Sequence, residues 1–318
     1  MSTAKVLQKV AAQLQSGSTY ENDGMYLLPI MNPNAASKQA FDPLTPEGIV
    51  GTAYNALPLQ GPRKVGGEIE LELDPVSIVP LLDAAFATKV GLVHTLGATN
   101  AKKLSIAVLN DVKCIRCANV YVKTLKISGQ SGQILRASVS LIQATAQDRT
   151  TVGNFPSIAH DPIDPISFHV GGHFRIGDCG DALASGDDQS VDQFEIEIDN
   201  GFDNQYDNTG IGTLMPIFGM GKPSVKGSIT ISRHSSDAFQ DWRDAMTLLQ
   251  AEAYFYASAT SSVKIEIPAF NISSADLDDG ELPKVKIDLN MGRNGIGTNY
   301  KNANITTTSP VRVTIVNA

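Results

Sequence analysis

The chain has 318 residues, of which 42% are hydrophobic and 18% are charged, a composition that allows a substantial core and argues against intrinsic disorder. Acidic residues outnumber basic ones by 33 to 25, giving a formal net charge of -8, so sequence-independent binding to nucleic acid is disfavoured. The sequence contains no run of about 20 apolar residues and therefore predicts no membrane-spanning helix.

The first predicted element is a short amphipathic helix from Met1 to Ser16. Its apolar residues, among them Val6, Val10 and Leu14, recur at helical spacing. The segment lacks the continuous apolar stretch and the cleavage site of a signal peptide. We therefore expect an N-terminal arm that belongs to the folded protein.

The next elements recur later in the chain. A strand predicted at Val65–Leu71 matches one at Val225–Ile231, 160 residues further on, and both alternate apolar with polar residues. A helix is predicted after each strand. The first begins at Asp74, where a following proline suits the start of a helix, and the second begins near Ser235.

The second predicted helix has an apolar stripe that includes Trp242, Met246 and Leu249. Two further pairs of strands keep nearly the same offset: 104–108 with 263–267, and 122–127 with 282–287. Four elements in one register indicate that a single β-rich unit occurs twice in the chain.

Other alternating segments predict further strands: Met25–Met31, Ile134–Ile142, Ile166–Ile176, Phe194–Ile198 and Val311–Val316. The stretches 149–165 and 199–224, rich in Asp, Asn, Gly and Pro, are predicted loops. We predict a mainly β fold of duplicated β-barrel or sandwich domains, each with one flanking α-helix. The first domain comprises residues 1–148, including the N-terminal arm; residues 149–165 form a linker, and residues 166–318 form the second domain.

The three cysteines offer little for a metal or redox site. Cys114 and Cys117 have the spacing of a zinc or redox pair, but further ligands could come only from His169, His173 and Cys179, across the repeat boundary. No thioredoxin-like context surrounds the pair. Free thiols in a reducing cytoplasm are the favoured interpretation, with no metal and no cofactor.

Enzyme motifs are also missing from the sequence. It contains no G-x-S-x-G, H-E-x-x-H or P-loop, and the glycine-rich stretch 292–297 lacks the flanking strand and helix of a nucleotide-binding loop. The sequence therefore predicts a protein that is not an enzyme.

The order and composition of the strands resemble the tail tube (major tail) proteins of long-tailed bacteriophages. The segments that carry this resemblance are Ala4–Tyr20 with Met31–Asn34, Gly67–Pro75 with Pro80–Ala85, Phe194–Asn200, Val225–Ile231 and Ile265–Phe270. The resemblance spans most of the chain and implies subunits stacked in rings around a channel. Because the unit is duplicated, three chains would give a pseudo-sixfold ring.

The resemblance also implies partners and a location. Such a protein is made in the host cytoplasm and resides in the virion, where it assembles with itself, a tape-measure protein and tail-end proteins. DNA passes through the tube without specific binding. Flexible tails and the inner tubes of contractile tails fit the resemblance equally well.

Two groups of residues are candidates for roles in a tube. Glu68, Glu70 and Glu72 lie on one face of a predicted strand and would repel DNA if that face lined the lumen; an ordinary solvated face is the other interpretation. The second group is a turn that joins two strands into a long hairpin, with a tip that we expect between subunits: Gly129, Gln130, Ser131 and Gly132.

A carbohydrate- or surface-binding β-sandwich module, such as an adhesin or a tail-tip protein, is the alternative function. It would present clustered aromatic residues on its loops. Aromatic residues make up only 6% of the chain, and the single tryptophan, Trp242, lies in a predicted core helix. The tail tube is therefore the favoured interpretation.

Overall fold

The computed structural model describes residues 8–31, 38–44, 59–97, 102–110, 112–143, 147–168, 172–205, 217–220, 223–232, 238–258, 260–278, 284–291 and 309–317. The elements of the first half are β1 Lys9–Gln15, β2 Met25–Leu28, β3 Lys38–Leu44, β4 Leu59–Glu72, α1 Val79–Ala85, β5 Thr88–Val90, β6 Val93–Thr95, β7 Lys103–Leu109, β8 Cys114–Gln130, β9 Arg136–Gln143, β10 Asp148–Thr150 and β11 Ile158–His160.

The elements of the second half are β12 His173–Asp178, β13 Val191–Asp199, β14 Phe202–Gln205, β15 Ile217–Met220, β16 Ser224–Ile231, α2 Ala238–Asp244, β17 Leu249–Ser258, β18 Ser261–Asp278, β19 Lys284–Asn290 and β20 Arg312–Asn317. Short 3-10 helices lie at Val152–Asn154 and Ser185–Asp187. The predicted mainly β fold, with one helix in each half, is confirmed. None of the described helices is long and apolar enough to cross a membrane.

Strand pairing shows the same topology twice. In the first half the antiparallel order is β1-β7-β8-β9-β4. In the second half it is β12-β17-β18-β19-β16, also antiparallel throughout. In both halves the helix follows the strand at the end of this order. We call the first group, with α1, the first repeat. The second group with α2, together with β13 on β16 and β20 on β18, is the second repeat.

The predicted matching of later strands was wrong by one strand. Pairing order makes β7 equivalent to β17, β8 to β18 and β9 to β19, with strand starts 146, 147 and 148 residues apart. The offset between these equivalent strands is smaller than the offset between the two helices. The reason is that residues 86–102 separate α1 from β7, whereas only residues 245–248 separate α2 from β17. The extra residues of the first repeat form the β5–β6 hairpin.

Each of the long strands β8 and β18 pairs with one strand along its first part and with another along its second part. Residues 114–120 of β8 pair with β7, and residues 120–128 pair with β9. At the bend Asn119 has a positive φ of 51°, and its N–H donates to Gln15 Oε1 at 2.8 Å. The buried apolar residues of both halves form one main core. Helix α1 packs on β1, β7 and β8, and α2 packs on β18.

The predicted N-terminal helix was wrong, because residues 9–15 form strand β1, paired with β2 and β7. Val10 and Ala12 face the main core, whereas Ala11 lies in a second apolar cluster on the other side of the strand. Since both faces are covered, the apolar spacing does not distinguish a strand from a helix.

Both predicted helices are shorter than expected. α1 begins at Val79, and Asp74 instead accepts hydrogen bonds from the N–H groups of Val76 and Ser77, each at 2.9 Å, in the preceding turn. α2 ends at Asp244, so Met246 lies beyond it and is exposed. The predicted cap Ser235 lies outside the described residues.

Two predicted boundaries also differ from the structure. Of the strand predicted at Ile166–Ile176, residues 173–176 lie in β12, which ends at Asp178, and the loop predicted at 199–224 contains the paired strands β14 and β15. Within 149–165, β11 pairs in parallel with β2, so this stretch packs on the first repeat. The division into two domains with a linker at 149–165 stays a prediction.

Candidate assembly surface

A continuous run of strands carries one polar face across both repeats. The order is β4-β9-β8-β13-β16-β19-β18, and the repeats join where Gln193–Asp199 of β13 pairs with Thr124–Gln130 of β8. Apolar residues of these strands alternate inward into the core. We call the opposite, outward side the polar sheet face.

The three candidate carboxylates lie together on the polar sheet face. Ile69 and Leu71 are fully buried, and Glu68, Glu70 and Glu72 point to the other side of β4. Glu68 is exposed and the other two are half-buried. Whether this face lines a channel stays a prediction.

The described side chains of the polar sheet face have mixed charge with an acidic excess. Its described acidic side chains are Glu68, Glu70, Glu72, Glu195, Glu197, Asp199 and Asp288. Its described basic side chains are Lys126, Arg136, Lys226, Lys284 and Lys286. Lys126 Nζ lies 2.7 Å from Glu195 Oε2 and bridges the two repeats, although such half-exposed pairs contribute little to stability.

A shallow groove of about 440 Å³ lies on this face around the β8–β9 turn. Its lining residues are Glu68, Glu70, Lys126, Ser128, Gly129, Gln130, Gln133, Ile134, Arg136, Ser138 and Gln193. None of them is aromatic, so the groove lacks the stacking side chains that a sugar-binding site uses. Trp242 packs edge-on against Phe239 at 5.4 Å between ring centroids, on the helix α2.

The turn of this hairpin spans Gln130–Gln133, one residue later than the predicted tip Gly129–Gly132. Gly129 and Gln130 still belong to β8, and Gly129 is buried. The turn itself is closed by the Gln133 N–H, which donates to the Gln130 carbonyl at 3.0 Å, with Gly132 at a φ of 78°. Ser131 donates to the Asp192 carbonyl at 2.7 Å, so the tip lies against the second repeat of the same chain. Its contact with other subunits stays a prediction.

Substitutions at the two glycines should have different effects. A Cβ on Gly129 would lie 2.5 Å from Phe168, 2.6 Å from Leu135 and 2.7 Å from Phe194, so we expect Gly129→Ala to destabilise the fold by about 1–3 kcal/mol through overpacking. Gly132 has open space around it, and Gly132→Ala should cost about 1 kcal/mol, from backbone strain alone. Urea denaturation of both variants measures the difference, and an equal or larger loss for Gly132→Ala would contradict the assignment.

The two side chains of the cysteine pair do not lie together. Cys117 lies in the main core and Cys114 in the second apolar cluster, so their side chains lie on opposite sides of β8. Burial raises the pKa of the Cys114 thiol. His169 lies outside the described residues, and His173 instead pairs with Glu252 at 2.8 Å. Among the described residues, no group of three or more His, Cys, Asp and Glu side chains could hold a metal ion.

Comparison with known proteins gives a family for this architecture. The family of phage tail tube proteins matches residues 9–308, which is nearly the whole chain and includes both repeats. A comparison with curated individual proteins finds no match. Since the family match covers far more than half of the sequence, this chain belongs to the phage tail tube protein family.

Proposed function

We propose that the chain is the repeating subunit of a phage tail tube, that three chains close into a ring, and that rings stack around a tape-measure protein. The observation that carries the proposal is the family match over residues 9–308 together with two repeats of equal topology. Six equivalent repeats from three chains would form a pseudo-sixfold ring. Tail-end proteins would terminate the stack, and the subunit has no catalytic role.

The junction between the repeats supports a ring. β13 of the second repeat continues the sheet of the first by pairing with β8 over seven residue pairs. A head-to-tail contact of this kind can recur between chains until the assembly closes. Strand addition of this type also removes exposed sheet edges.

In this ring the polar sheet face would line the channel. The acidic excess of its described side chains disfavours phosphate binding, and Lys126 and Arg136 lie against Glu195 and Glu70, so DNA would slide past without being held. The alternative, a carbohydrate-binding module, has no comparable support. The groove on this face has no aromatic lining, and the rings of Phe168, Phe174 and Phe255 beside a smaller pocket are buried in the core.

Charge reversal on β4 tests the channel assignment. Tubes of the triple variant Glu68→Lys, Glu70→Lys and Glu72→Lys should retain short duplex DNA at low salt and protect it from nuclease, whereas wild-type tubes should not. The matched triple glutamine variant controls for lost negative charge without added positive charge. DNA that binds the lysine tubes but remains fully digestible would place this face on the outside of the tube.

Whether tubes form at all is tested by electron microscopy of the purified chain, with and without added tail tips as initiators. Hollow tubes or stacked rings of uniform width support the proposal. A chain that stays monomeric even when seeded would overturn it.

A further inference from the structure

The two helices are equivalent in topology but differ in how they are covered. All seven residues of α1 are buried, whereas Phe239 is the buried residue of α2. Trp242 is half-buried, and Met246, directly after α2, is 75% exposed. This exposure of apolar side chains at α2 has no counterpart at α1.

In addition to β1, β7 and β8, the β5–β6 hairpin contacts α1. Asp83 of α1 accepts hydrogen bonds from His94 Nε2 at 2.7 Å and from Lys89 Nζ at 3.0 Å. The His94 ring also packs against Phe86, with centroids 6.0 Å apart. The second repeat has no equivalent hairpin, since only four residues, 245–248, separate α2 from β17.

This covered region is also the junction between the repeats. β6 pairs with β20, which belongs to the second repeat, so that His94 lies opposite Val313. The Ile315 N–H donates to the Leu92 carbonyl at 3.0 Å. The first repeat therefore meets the second through two features: the edge of β8, which receives β13, and the region of α1.

The corresponding features of the second repeat lie side by side and are open. Residues 271–278 of β18 pair with β19 on one edge, and on the other edge they have no strand partner within the described part of the chain. Asn271 Nδ2 donates to the carbonyls of Met246 and Thr247 at 2.7 and 2.9 Å, which ties this edge to the end of α2.

Met246 is held outward by an unfavourable backbone conformation. Its φ of 52° is in the left-handed region, which costs a non-glycine residue roughly 1–2 kcal/mol. The two hydrogen bonds from Asn271 stabilise this conformation. The backbone at Met246 is thus held in the conformation that leaves the side chain exposed.

We infer that the face formed by Trp242, Met246 and the open edge of β18 docks on the first repeat of the next chain. This inference rests on the proposed ring, and the occupant is a second copy of this chain. The complementary side should include the strand region next to β4, where Ile30 pairs with Leu71, and β10, which pairs with β8 as β20 pairs with β18. The contact is continuous with the junction already present within each chain.

Met246→Asn tests the inference, because asparagine tolerates a positive φ and leaves the backbone unstrained. The control is Val112→Asn, which removes a side chain of matched exposure, 74%, from the loop between β7 and β8. The concentration at which tubes appear is measured by sedimentation and microscopy, and folding by circular dichroism and melting temperature. Oxidation of Met246 by peroxide is compared in free chains and in tubes.

We expect Met246→Asn to fold like the wild type but to need at least about tenfold more protein for assembly, while Val112→Asn assembles normally. Met246 of wild-type tubes should oxidise severalfold more slowly than in free chains. The inference would be overturned if Met246→Asn assembled at the wild-type concentration, if both variants lost assembly equally, or if Met246 oxidised equally fast in tubes and in free chains. The proposed tube function would still stand in each case. Failure of the wild type to assemble, even when seeded, would overturn the proposed function and this inference with it.

Discussion

Phe194→Ala should destabilise the fold by about 3–5 kcal/mol, the largest effect we expect from a single substitution. Phe194 is 1% exposed and lies at the centre of an aromatic cluster, with ring centroids 5.3 Å from Phe255 and 5.9 Å from Phe168. It is on β13, which pairs with both β8 and β16. The cavity left by the missing Phe194 ring would therefore lie where the two repeats join.

Urea denaturation followed by circular dichroism measures this loss, and Tyr256→Ala is the control. Tyr256 is only half-buried on β17, the strand that carries Phe255, so its truncation should cost about 1 kcal/mol. Tube formation by Phe194→Ala should fail at temperatures where the wild type assembles. Equal destabilisation by the two variants would contradict the central position of Phe194 in the core.

Asp83→Asn should destabilise the fold by about 2–3 kcal/mol. His94 is 1% exposed, and its Nδ1 atom has no hydrogen-bond partner among the described residues, so Asp83 supplies the one described contact of a buried ring nitrogen. The amide would also lose the ion pair with Lys89. Asp188→Asn, which removes an exposed partner of Arg175, is the control and should cost less than about 1 kcal/mol.

The effect of Asp83→Asn should depend on pH. Burial alone would raise the pKa of Asp83, but the hydrogen bonds from His94 and Lys89 outweigh it and hold the pKa below its ordinary value. A lowered folded-state pKa stabilises the fold above the ordinary carboxyl pKa of about 4, and this stabilisation is lost as the pH falls further. The difference in unfolding free energy between wild type and variant should therefore narrow below about pH 4, and a constant difference would contradict this role.

The alternation of apolar and polar residues was enough to predict the shared face of Glu68, Glu70 and Glu72 and the strands β4, β8, β9, β13, β16, β19 and β20. Each of these strands has one face on the core and one outside, so a period of two is visible in the sequence. β1 could not be predicted in this way, because Ala11 is buried on the face opposite Val10 and Ala12.

Only the structure shows which later strands of the two repeats are equivalent. Amphipathic strands match one another in any even register, and the β5–β6 insertion shifts the true offset by 13 residues from that of the helices. The open face at Met246 was also hidden from the sequence. Met246 fits the spacing of a buried helical stripe, but α2 ends at Asp244, and the positive φ then turns Met246 outward.

The most direct test of the ring is cryo-electron microscopy of tubes assembled from the full chain. We expect each ring to contain three chains that present six repeats at nearly equal angles, with Glu68, Glu70 and Glu72 facing the channel. A ring of six chains, or a ring in which the polar sheet face points outward, would contradict the account.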